Sequence, residues 1–181
     1  MTIFLYVTAV ITNKTASLLL SFKTKALKTY RLEFTQKLPV ELAIAWDFFS
    51  SPMNLAEITP TDMTFDVTSP NMDGTKMYPG LIITYKVAPM AGIKLNWVTE
   101  ITHVKDQEYF IDEQRFGPFA FWHHQHHFEK IEGGVLMHDI LHYGIGWGPI
   151  GAIANALMVN KKINEIFKFR YQKVAGLFGI L

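Results

Sequence analysis

The chain is predicted to fold as one α+β domain, a curved seven-stranded antiparallel sheet around a long C-terminal helix, with two short helices after the first strand. Three features of the 181 residues carry this prediction. From Tyr30 onward, seven runs follow the two-residue period that sends successive side chains to opposite faces of a strand. The segments between the later runs hold turn residues such as Asn71-Met72-Asp73-Gly74, Gly117-Pro118 and Gly133-Gly134. Beyond Gly144 the period changes, and Ile153, Leu157, Ile163, Phe167, Val174 and Phe178 recur at approximately helical intervals.

The first strand is Y-R-L-E-F-T-Q-K-L from Tyr30, ended by Pro39, which cannot donate to a sheet. Val40, Ile44, Trp46 and Phe49 fall near helical spacing. Ser50-Ser51-Pro52 closes that helix and opens a shorter one reaching about Ile58. Strands are then predicted at Met63 to Thr68, Leu81 to Val87, Lys94 to Val104, Glu108 to Phe116, Ala120 to Lys130 and Val135 to Tyr143, with further breaks at Pro89-Met90-Ala91-Gly92 and Asp106. The glycine-rich G-I-G-W-G after Tyr143 superficially resembles a nucleotide loop. It leaves an antiparallel strand rather than opening a βαβ unit, so it reads as the entry to a helix running from about Ile150 to Phe178.

Composition narrows the function classes. An apolar content of 49% with 18% charged residues suits a globular domain with a sizeable core. With no cysteine, neither disulfides nor thiolate catalysis is available. A net charge of +1 provides no broad basic face, so nucleic acid is not an expected partner. The charge is uneven: residues 1–29 hold Lys14, Lys23, Lys25 and Lys28 and no acid, and Glu33 is the first of 16 acids. The domain is therefore expected over residues 30–181, with 1–29 an extension that is accessory or non-native, an extra hairpin turning at Asn13-Lys14, or a membrane or targeting segment. Its opening apolar run, M-T-I-F-L-Y-V-T-A-V-I-T, is too short to span a bilayer and lacks the basic start of a signal peptide. Membrane contact is not expected, and a cytoplasmic location is.

The inner faces of the last strands carry the chemistry. Alternation places Phe110, Asp112 and Gln114 on one face, Trp122, His124, His126 and Phe128 on the same face of the next strand, and Val135, Met137, Asp139, Leu141 and Tyr143 on the last. A tight turn at Gly117-Pro118-Phe119 sets Asp112 opposite His124, and the Gly133-Gly134 turn sets His126 opposite or diagonal to Asp139. Burying such groups is costly unless they pair or meet a ligand. His124, His126, Asp112 and Asp139 are thus candidates for general acid/base chemistry, or for a satisfied polar network that holds strand register. A His124-x-His126 spacing also suits a cation held by two imidazoles about 6.5 Å apart along the strand. No metal and no cofactor is expected from this spacing alone. His123, His127, His138 and His142 fall on the outer face. Nucleophile, zinc-protease and phosphate-loop motifs are absent. Arg170, in I-F-K-F-R, sits amid apolar residues, where it either reaches an inner carboxylate or a ligand's acidic group, or extends to solvent.

Several of these segments together carry a family resemblance: L-P-V-E-L-A-I-A-W-D-F-F-S-S-P-M-N-L, I-T-P-T-D-M, M-Y-P-G-L-I-I-T-Y-K-V, W-V-T-E-I-T-H-V, D-E-Q-R-F-G-P-F-A-F-W-H-H-Q-H-H-F-E and G-G-V-L-M-H-D-I-L-H-Y. From Tyr30 to Phe178 the chain resembles the START-like superfamily of helix-grip proteins, and within it the polyketide cyclase/dehydrase (SRPBCC) group. Its subgroup looks like bacterial ligand-binding proteins of unassigned function. The resemblance implies a hydrophobic cavity between sheet and helix and no universal catalytic set. Binding of a hydrophobic or amphipathic small molecule is the expected function, with Trp97, Phe110, Gln114, Trp122, Met137, Tyr143, Phe167 and Arg170 as candidate contacts. The alternatives are a cyclase, aromatase or dehydratase type of enzyme using a buried His/Asp pair, and a non-catalytic interaction module with a filled core.

Overall fold

A computed structural model of the protein describes residues 27–88 and 92–181. Residues 1–26, most of the expected extension, and the turn at 89–91 lie outside the described residues. Strand β1 (Tyr30–Leu38) leads into α1 (Leu42–Phe49) and the one-turn α2 (Asn54–Glu57). The sheet continues through β2 (Phe65–Val67), β3 (Ile82–Val87), β4 (Leu95–Lys105), β5 (Tyr109–Phe116), β6 (Phe121–Ile131) and β7 (Gly134–Gly144). The chain ends in a near-continuous helix formed by α3 (Gly148–Ala154), a π turn (Asn155–Val159) and α4 (Asn160–Phe178). All seven strands pair antiparallel in the order β1-β7-β6-β5-β4-β3-β2, so only β1 departs from sequence order. This is the α+β helix-grip arrangement, and no helix among the described residues is long and apolar enough to cross a membrane.

The two-residue period does what the sequence predicts in the central strands. Burial alternates without a break from Val135 to Tyr143, and β6 alternates from His123 to Phe128. Gly134 is required by a close approach: a Cβ there would lie 2.0 Å from the Leu38 carbonyl oxygen, where β1 crosses the start of β7. Beside it, Gly133 takes a φ of 78°, the left-handed conformation that the β6–β7 turn needs.

Three features differ from the expected pattern. The strand expected from Met63 is shorter, because Pro60 starts a 3₁₀ turn over Thr61–Met63 in which the Met63 amide donates to the Pro60 carbonyl at 3.0 Å. In β4 the pairing register slips between Ile101 and His103. A bulge at Thr102 therefore sends Val104 rather than His103 to the core, against Phe110. In the C-terminal helix, Ile153 and Leu157 are exposed rather than part of the buried stripe. Six residues separate Leu157 from Ile163, a rotation of roughly 240° along a helix, so these apolar positions cannot share one face. The π turn carries an extra residue and swings Asn155 inward, where its Oδ1 accepts a hydrogen bond from Tyr143 Oη at 2.8 Å.

Three apolar clusters fill the concave side. Trp46 and Phe49 of α1 meet Phe110, Phe128, Met137 and Val174. Leu81, Ile83, Tyr85, Val87 and Ile101 form a second cluster across β3 and β4. Leu141, Tyr143, Ile163 and Phe167 join β7 to the helix.

Candidate functional site

Between these clusters, β5, β6 and β7 bring four ionisable side chains together. Their register pairs Asp112 with His124 and His126 with Asp139, as the turn spacing predicts. Two hydrogen bonds run along the diagonals: His126 Nε2 lies 2.8 Å from Asp112 Oδ2, and His124 Nε2 lies 3.0 Å from Asp139 Oδ1. His126 Nδ1 stands 2.8 Å from the same Asp139 oxygen, while His124 Nδ1 is farther from Asp112 Oδ2, at 3.5 Å. The two imidazole rings lie with centroids 3.8 Å apart. Phe110 stacks on His126 at 4.2 Å, and Phe167 meets His124 edge-on at 5.6 Å. Trp122 Nε1 donates to the other Asp112 oxygen at 3.3 Å. His124, His126 and Asp139 are buried, and Asp112 nearly so.

Protonation follows from these distances. His126 Nε2 is hydrogen-bonded to Asp112 and its Nδ1 lies at ion-pair distance from Asp139, both 2.8 Å, an arrangement that favours the protonated ring. Burial alone would lower its pKa, but the bonds to Asp112 and Asp139 outweigh burial and hold it above the usual imidazole value. His124 has one nitrogen within bonding range. Burial, and then the charge of His126, push its pKa down, which makes it a neutral ring with its hydrogen on Nε2. Burial raises the Asp139 carboxyl, but hydrogen bonds from both histidines and the charge of His126 bring it well below the usual carboxylate range. Asp112 is lowered in the same way.

Two recesses open beside this quartet. The first, between α1, α2, the inner sheet face and α4, is a cavity of about 70 Å³, or about 560 Å³ when the open space at its mouth is counted. Its wall is largely apolar, with Phe48, Phe49, Ile58, Met77, Ile101, Phe110 and Met137, and its polar groups include Asp112, His126, Tyr85 and Arg170. The second, about 1270 Å³ with the open space at its mouth, lies between β1 and α4 and is lined by Phe34, Asp139, Phe167 and Tyr171 among others. Phe49, Met137 and Arg170 line both.

Of the predicted contacts, Phe110, Met137 and Arg170 line the first recess and Phe167 the second. Trp97, Gln114, Trp122 and Tyr143 line neither. Trp97 and Trp122 pack edge-to-face at 5.2 Å, and Gln114 clasps Phe119 through both its amide groups. Tyr143 is fully buried with its hydroxyl on Asn155. His124 also lines neither recess. Phe48, Phe49 and Met77 were missed by sequence reasoning. The adjacent phenylalanines of A-W-D-F-F were the available signal, since one helical face accounts for only one of them. On the outer face, His123 faces His142 and His127 faces His138 as cross-strand pairs, with Glu113 on His123 and Glu33 on His138.

Arg170 occupies an inward position by helical spacing. Ile163, Phe167 and Val174 are the buried residues of α4, and Arg170 falls three residues after Phe167 and four before Val174, on the same stripe. Its guanidinium lies over the Phe167 ring at 5.0 Å, and its buried Nε has no hydrogen-bond partner among the described residues.

Donor atoms of Asp112, His124 and His126 lie within 4.8 Å of one another, close enough to surround one cation. A divalent ion there would have to displace the His126 hydrogens that bind the carboxylates. Chelation is accordingly expected to leave the melting temperature unchanged. Stoichiometric zinc or iron in protein purified without a histidine tag, lost on chelation together with stability, would contradict this.

No protein-family model matches the chain, and no curated protein sequence does. Solved structures do. Protein Ms6760 from Mycobacterium smegmatis superposes with a TM-score of 0.59 at 18% identity, covering 81% of this chain and 89% of that one. Protein CV1439 from Chromobacterium violaceum gives 0.63 at 12% identity over 82% and 96%. Ara h 8.0201 gives 0.54 at 16% identity over 82% and 99%. At these identities the likeness establishes the helix-grip fold alone.

Proposed function

We propose that the domain binds a hydrophobic or amphipathic small molecule in the recess between the sheet and the C-terminal helix. The observation that carries this reading is the convergence, in one mostly apolar space, of Arg170 from the helix with His126 and Asp112 from the sheet. The START-like resemblance points the same way. Binding is favoured over turnover by the state of the quartet. Both His126 nitrogens are engaged by carboxylates, and His124, whose Nδ1 is the freer nitrogen, lines neither recess. A cyclase or dehydratase needs an acid or base within reach of its substrate. Neither a cofactor nor nucleic acid has a part in this reading, and the location proposed is cytoplasmic.

A thermal-shift screen of fatty acids, sterols, flavonoid-like aromatics and polyketides tests the proposal. A ligand at a hundred times its dissociation constant adds about 2.7 kcal/mol, which raises the melting temperature by on the order of 5–10 °C in a domain of this size. A flat response across all four classes would defeat the proposal.

A further inference from the structure

The hydrogen-bonding balance of the recess is uneven. Asp112 Oδ1 accepts from Trp122 and its Oδ2 from His126, while Asp139 Oδ1 receives both His124 and His126. Asp112, the carboxylate of the first recess, therefore already has a donor on each oxygen. The donors are not all supplied with acceptors. Among the described residues, the buried side-chain atoms without a partner are Tyr30 Oη, Ser50 Oγ and Arg170 Nε, and of these three residues only Arg170 lines the first recess. Asp139 and Asp112 act on its guanidinium through charge alone, with no hydrogen bond to its Nε among the described residues, although α4 turns it toward the sheet on the stripe of Ile163, Phe167 and Val174. A second donor lines the same space: Tyr85, whose hydroxyl is kept neutral by burial and by nearby Asp112.

Resting on the binding reading above, we infer that the ligand is an acid, with its carboxylate on Arg170 and its apolar body among Phe49, Ile58, Ile101, Phe110 and Met137. The planar guanidinium fork fits the two oxygens of a carboxylate, and a partly desolvated charge of this kind is most in need of such a partner. A carboxylate is favoured over a phosphate monoester because one guanidinium neutralises one negative charge. A dianion would bring a second charge close to Asp112 and Asp139.

Matched ligands separate this inference from the broader proposal. Decanoate, decan-1-ol and decyl phosphate share one tail and differ in the head, as do cinnamate and cinnamyl alcohol in an aromatic series. Calorimetric titration of the full chain is expected to give an affinity for the acid about tenfold or more above that for its alcohol, as one charge-assisted bond to a desolvated cation would supply. Arg170→Met keeps the apolar stem and should bind acid and alcohol alike. Arg170→Lys, which keeps the charge without the fork, should retain part of the preference and serves if the methionine variant does not fold by circular dichroism. Equal binding of acid and alcohol by the parent chain would overturn the inference while leaving the binding reading intact. So would an acid preference that survives in Arg170→Met, or decyl phosphate binding more tightly than decanoate. Failure of every member of both series would remove the binding reading and the inference with it.

Discussion

Asp139→Ala is expected to lower the free energy of unfolding by about 3–5 kcal/mol, because it leaves a buried imidazolium facing a void where its counter-charge stood. Asp139 is buried on β7, and its Oδ1 is shared by His124 at 3.0 Å and His126 at 2.8 Å. Removing His126 instead leaves the carboxylate short of a donor, a smaller loss of about 1–3 kcal/mol. The pH dependence has a definite sign. Asp139 has a folded pKa below its unfolded value, so its contribution is present above about pH 4 and is lost as pH falls toward the folded pKa. His126, with a raised pKa, adds stability below about pH 6.5 that is lost as pH rises through its folded value. His124 is lowered and works in the opposite direction, penalising the fold below about pH 6.5. The two histidines oppose one another near neutrality, which leaves the acid limb as the diagnostic one. In urea denaturation, Asp139→Asn should show a shallower loss of stability below about pH 4 than the parent chain, by up to 1.4 kcal/mol per pH unit. Unchanged midpoints for both Asp139→Ala and His126→Ala would mean that the quartet does not hold the sheet.

Phe128→Ala should have an effect of comparable size, about 3–5 kcal/mol, for a different reason. The ring is buried at the centre of the cluster between sheet and helices, 5.5 Å from Trp46, 5.6 Å from Phe49 and 6.3 Å from Phe110, ring centre to ring centre. These neighbours are held by α1 and β5 and cannot collapse into the space left behind. Phe116, at the end of β5, is 64% exposed and provides the control. Phe116→Ala should change stability by no more than about 0.5 kcal/mol. Equal midpoints for the two variants would show that the Trp46 cluster is not the core.

The quartet was legible because strand parity is strict wherever the ladder is regular. The spacing of Asp112, His124, His126 and Asp139 about two tight turns set both their face and their register, and β5 to β7 contain no bulge between these residues. The hydrogen-bond diagonals were not legible, since they depend on rotamers rather than on pairing. Parity failed in β4, where the bulge at Thr102 has no glycine to announce it. It was the wrong tool for the cavity as well. Trp97, Trp122 and Tyr143 do point inward, but large rings packed on one another close space rather than line it. The helices supply much of the wall, through Phe48, Phe49, Ile58 and Arg170. Arg170 was the informative exception in its helix, a charge at a position where the spacing of Ile163, Phe167 and Val174 asks for an apolar residue.

A small amphipathic molecule is proposed to occupy the space between sheet and helix. Native mass spectrometry of the purified chain, followed by denaturation and organic extraction, tests it most directly. The expected result is a folded-state mass above that of the polypeptide or, after added decanoate, a one-to-one adduct, released in either case on denaturation. The bare polypeptide mass under both conditions, with nothing extracted, would contradict it.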